Sequence, residues 1–123
     1  MDARYVFAVR FRLDPDASGV TLEPREFETR LYRRADPPGE EGWQFFRDNL
    51  WRGDIGDERY FRKLTSEALG VPVTSVEYRA FETDEEYYDA LKAEIGDDLA
   101  AFKADSVSEV VSKYLGSSVE VQR

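Results

Sequence analysis

RYVFAVRFRL, residues 4–13, is the stretch that decides the fold. Tyr5, Phe7, Val9, Phe11 and Leu13 share one face, while Arg4, Arg10 and Arg12 share the other. A period of two is that of a strand with one side buried. DPDASG, at 14–19, is turn chemistry. A second strand within 20–35 turns Phe27 and Leu31 inward. The two strands are therefore expected to pair as an antiparallel hairpin.

The rest of the chain must cover that apolar face. ADPPGEEG, at 35–42, is a loop, because Pro37, Pro38, Gly39 and Gly42 break regular structure. Trp43, Phe46, Leu50 and Trp51 then fall on one helical stripe, predicting a helix over about 43–52. After GDIGD (53–57), a helix over about 58–69 buries Tyr60, Phe61, Leu64 and Ala68, with Gly70 stopping it. Residues 73–82 read as a third strand. Thr83 with Glu86 matches a capping box for a helix over about 84–102, striped by Tyr87, Tyr88, Leu91, Ile95, Leu99 and Phe102. Ser106 with Glu109 opens a last helix, closed by Gly116, and Val119 and Val121 mark a final strand. Helix, Leu-Gly and strand recur at 69–73 and 115–119, which reads as one helix-stop chemistry used twice. The fold class is α+β in one domain over 1–123, in the order β-β-α-α-β-α-α-β. The expected architecture is a two-layer sandwich: about four strands in a mixed or antiparallel sheet, with helices on one face.

The 123 residues carry 17 basic and 26 acidic side chains, for a net charge of −9, with no Cys and no His. That composition removes disulfides, thiolate and imidazole catalysis, and zinc sites built on either ligand. A 41% hydrophobic content with 14% aromatics is too rich for disorder. No apolar run approaches the ~20 residues of a membrane span, and MDARYVFAVRF lacks a signal peptide's order, so a cytoplasmic protein is expected. Arg outnumbers Lys 13 to 4. The Lys-poor, Cys-free, acidic composition favours adaptation to molar salt, where screening lets like charges crowd.

No cofactor is expected. Asp14, Asp16, Ser18 and Gly19 mimic the start of a calcium loop, but Arg25 stands where the bidentate Glu belongs. Asp54, Asp57 and Glu58 cluster between helices, where Asp57 is better read as a helix cap. Tyr87, Tyr88 and Lys92 form a weak acid–base set with no nucleophile beside it. Arg10, Arg12, Arg30 and Arg34, with Arg4 and Tyr32, share the open sheet face, interleaved with Glu26 and Glu28. An Arg–Glu ladder is the first reading of that face, a protein interface the second and RNA the third.

FFRDNLWRGDIGDERYFRKL (45–64), with ADPPGEEGW (35–43) before it and FKADSVSEVVSKYLGSSV (102–119) after it, resembles the LWR-salt protein family, named for its Leu-Trp-Arg triplet. The resemblance implies a haloarchaeal cytoplasm rich in potassium chloride, and it implies no activity. The residues themselves place Leu50 and Trp51 on a buried stripe and Arg52 at the negative end of their helix, within reach of Asp54 or Asp48. The alternative makes Trp51 and Arg52 interface residues. The function expected is a non-catalytic binding or assembly module. It would act through an unidentified protein partner or self-association, at the sheet face or the triplet. A small-molecule-binding protein or enzyme with a pocket between helices and sheet, or an RNA-associated factor using the Arg face, are the alternatives; nucleic acid is not favoured and no membrane contact is expected.

Overall fold

A computed structural model describes residues 1–15 and 17–122. In chain order its elements are β1 (Ala3–Arg12), β2 (Glu26–Arg34), α1 (Phe45–Asn49), β3 (Leu50–Trp51), β4 (Asp54–Ile55), α2 (Glu58–Leu69), β5 (Val73–Asp84), α3 (Glu85–Asp97), a 3-10 turn (Leu99–Phe102), α4 (Val107–Leu115) and β6 (Val119–Gln122). Four strands make one mixed sheet in the order β2-β1-β5-β6. β1 runs antiparallel to both neighbours, and β6 runs parallel to β5. Parallel pairing follows from the long helical crossover between β5 and β6.

The α+β class and the two-strand start agree with the sequence pattern. Tyr5, Phe7 and Val9 are buried and meet Val76, Tyr78 and Phe81 of β5 in the core. Tyr87, Leu91 and Ile95 of α3 and Val110 and Leu115 of α4 close over them. The far side of the sheet is floored by small or branched residues, Val6, Ala8 and Ala80, which are also buried. β5 carries two irregularities in its pairing with β1, after which Arg79 and Thr74 have no opposite residue.

The caps sort three expectations. Asp57 caps α2, accepting from the Tyr60 N–H at 3.1 Å. Ser106 caps α4 through the Glu109 N–H at 3.1 Å, and the Glu109 carboxylate accepts from the Asp105 N–H at 3.0 Å. Thr83 does not cap α3. It is buried opposite Val121, because β5 continues to Asp84 alongside β6. Asp84 takes the cap and accepts from the Tyr87 N–H at 2.7 Å. Hydrogen bonds from the Tyr87 and Asp2 N–H groups hold its carboxyl below the usual value.

Three boundaries differ. The helix expected to 102 stops at Asp97 and resumes as the 3-10 turn. The helix expected over 43–52 shrinks to Phe45–Asn49. Stripe positions of α2 stay open: Tyr60 is 58% and Leu64 43% exposed, and Thr65 is the buried residue. The repeated Leu-Gly is not one chemistry. Gly70 ends α2 in a left-handed cap (φ 72, ψ 17), whereas Gly116 sits at φ 62, ψ −136.

Candidate functional site

The Leu-Trp-Arg triplet is a hairpin rather than the end of a helix. Leu50 pairs with Ile55 and Trp51 with Asp54. Between them Arg52 (φ 52) and Gly53 (φ 82) both take positive φ. Two positive-φ residues suit the tightest hairpin loops, and Gly second is a favoured choice for them. The turn spends its backbone donors on another element. Arg52 N–H donates to the Lys113 carbonyl at 2.8 Å, and Gly53 N–H to the Tyr114 carbonyl at 3.0 Å. The last carbonyls of a helix lack partners within it. The triplet therefore caps α4, some sixty residues away in sequence, and Arg52 lies at the negative end of α4 rather than of α1.

Leu50 is buried, but Trp51 is 47% exposed, so its expected place on a buried stripe is corrected. A strand alternates its side chains, and two neighbours in one strand cannot both face the core. Trp51 stands edge-on to Tyr114, with ring centroids 5.9 Å apart. The Arg52 guanidinium lies 5.6 Å and the Lys113 ammonium 5.8 Å from its ring centre. Lys113 is itself fixed, donating to the Phe102 and Lys103 carbonyls at 3.1 and 3.2 Å. Neither expected acid binds Arg52: Asp48 pairs instead with Arg47 at 3.1 Å. Trp51, Arg52, Glu109, Ser112 and Lys113 line a shallow groove. Nothing local in the sequence announces Lys113 or Tyr114 as neighbours of Trp51.

The second candidate surface is the open sheet face. The register sets Arg10 opposite Glu28 and Arg12 opposite Glu26, the order an Arg–Glu ladder requires. The close ion pairs go elsewhere, with Arg4 on Glu82 at 2.7 Å and Arg12 on Asp14 at 3.8 Å. Among the described residues Arg10, Arg30 and Arg34 form no ion pair. Tyr32 is half exposed, but the Arg4 guanidinium stacks 4.0 Å from its ring centre and occupies a face that a base would need. Arg4, Tyr32, Arg34 and Glu82 line a groove at this end of the sheet.

The remaining candidates disperse. Asp16 of the calcium-loop mimic lies outside the described residues. Among the described residues no three acids cluster as metal ligands. Tyr87 donates its hydroxyl to the Asp36 carbonyl, and burial raises its pKa. The Lys92 ammonium lies 4.6 Å from the Tyr88 ring centre and 3.6 Å from Asp89. No helix among the described residues is long and apolar enough to cross a membrane.

Neither a curated protein nor a solved structure matches this chain. A family model described as LWR-salt protein does match, over residues 1–123. The triplet of that description is the turn that caps α4, and the chain belongs to the LWR-salt protein family.

Proposed function

We propose that this chain is a non-catalytic binding or assembly module of a salt-adapted cytoplasm, acting through protein–protein contacts at the Trp51 turn. The observation that carries this reading is an indole 47% exposed on a turn whose backbone is fastened to α4. Trp, Tyr and Arg are the residue types that dominate binding energy at interfaces. A rigid mount also lowers the entropy lost on association. Arg52 and Lys113 beside the ring favour a partner surface that carries carboxylates.

Trp51→Ala is the direct test. The exposed ring contributes little to the core, so the variant should keep its circular dichroism and lose less than about 1.5 kcal/mol of stability. Affinity purification from salt-adapted cells should then recover a specific partner with the native chain and not with Trp51→Ala. Equal recovery by both folded proteins overturns the reading.

The salt component rests on the uneven charge. Residues 84–109 carry nine acidic and two basic side chains, whereas residues 1–34 are nearly balanced. Ions screen repulsion among exposed like charges. The melting temperature should rise by at least about 5 °C from low to molar KCl. An unchanged melting temperature overturns the salt-adapted reading.

A further inference from the structure

Among the described residues β2 ends the sheet, and one side of its backbone has no neighbouring strand. Its ladder with β1 sets Phe11 opposite Phe27, Val9 opposite Thr29 and Phe7 opposite Leu31. Just beyond the two ends, Leu13 N–H donates to the Arg25 carbonyl and Ala35 N–H to the Ala3 carbonyl. Bonded and non-bonded pairs alternate along an antiparallel ladder. The odd-numbered residues of β2 therefore turn their backbone groups toward β1. The N–H and C=O groups of Glu26, Glu28, Arg30, Tyr32 and Arg34 point to the free edge.

The charges along this edge change sign at its middle. Glu26 and Glu28 come first; Arg30, Arg33 and Arg34 follow. None of these five forms an ion pair among the described residues. Exposed charge of one sign on an edge strand repels a like strand. In an antiparallel copy of itself this order brings an acidic residue against a basic one near the middle of the strand. The helical layer also stops short of β2. Leu31, Phe61, Leu64 and Leu69 line a groove beneath the strand, with Leu64 and Leu69 43% and 41% exposed.

We propose that β2 pairs antiparallel with β2 of a second copy of this chain, about a two-fold axis at Thr29. That register sets Glu28 opposite Arg30 of the second copy on the open face. On the helix side it sets Phe27 opposite Leu31. It joins edge-directed backbone groups in bonded pairs and keeps each side chain on its own face. Centring the axis on Arg30 instead would set that guanidinium against its own copy and lose the Glu28–Arg30 pair. The two sheets become one of eight strands, and the grooves beside Leu64 and Leu69 flank the axis. The contact is separate from the Trp51 turn, and the two stand or fall independently.

Sedimentation equilibrium of the full chain should give twice the 14.2 kDa monomer mass. Glu28→Arg and Arg30→Glu each oppose like charges twice across the axis, and each should weaken the dimer at least about tenfold in low salt. The double variant Glu28→Arg/Arg30→Glu restores opposite charges and should recover the dimer. Thr29→Cys gives an independent readout in a chain without cysteine. Opposed non-bonded pairs lie ~4.5 Å apart at Cα, within disulfide reach. Mild oxidation should cross-link Thr29→Cys and leave Glu120→Cys, on the far edge, monomeric. A monomeric native chain, a dimer indifferent to the single swaps, a folded double variant that stays dissociated, or equal cross-linking at both edges overturns the proposal.

Discussion

Phe46→Ala is expected to lose about 3–5 kcal/mol of unfolding free energy, a large part of the ~5–15 kcal/mol that a domain of this kind holds. Phe46 has no solvent exposure. Its ring stacks on Phe102 with centroids 5.6 Å apart and planes 6° from parallel. It also stands edge-on to Tyr114 at 5.9 Å and to Trp43 at 6.3 Å. Four elements thus meet at one ring: α1, the 3-10 turn, α4 and the loop before α1. A truncated side chain would leave a cavity between segments distant in sequence, with no single helix able to collapse into it. Urea denaturation measures the loss. A change below about 1 kcal/mol would show that this aromatic cluster is not what fastens the helical layer.

Gly116→Ala is expected to cost about 2–4 kcal/mol, from two causes that act together. The residue holds φ 62 and ψ −136, a conformation strained for any side chain. A Cβ would also stand 3.1 Å from the Arg52 carbonyl oxygen and 3.3 Å from the Gly53 nitrogen. Those are backbone atoms of the turn that caps α4, and they cannot move aside as a flexible side chain would. Gly70→Ala separates the causes. Gly70 has φ 72, but a Cβ there meets nothing within 4 Å, so only the ~1–2 kcal/mol left-handed penalty remains. Equal losses at the two glycines in urea denaturation would mean that close approach of the triplet to α4 adds nothing. A larger loss at Gly116 would make the Arg52–Gly53 turn part of the fold's stability while the Trp51 ring remains available to a partner.

The two substitutions bear on why the triplet misleads when read as sequence. Trp43, Phe46, Leu50 and Trp51 sit at helical spacing, and two of the intervals are an artefact of a helix joined to a strand. Phe46 and Leu50 are buried as the stripe requires. Trp51 is not, because the helix has ended at Asn49 and side chains then alternate. Arg52 in a left-handed turn is held there by the Lys113 carbonyl, a partner far along the chain. Arg52 does lie at a helix C-terminus, but the helix is α4 and it is the backbone N–H that binds there.

Elsewhere local chemistry was sufficient. Ser106, Asp57 and Gly70 act where their residue types place them, since a cap is decided within three or four residues. Thr83 and Asp84 show the limit of that rule. Both are capping types, and pairing with β6 decided between them by carrying the strand one residue further.

By itself the sequence determined the α+β class, the face that β1 buries and the absence of thiol and imidazole chemistry, because period, cap and composition are local or additive properties. Tertiary structure decided which strand lies at the edge, that the Leu-Trp-Arg turn closes α4, and that Trp51, Lys113 and Tyr114 form one surface. Those depend on where distant backbone donors find acceptors, and hydrogen-bond partners across sixty residues leave no period in the chain.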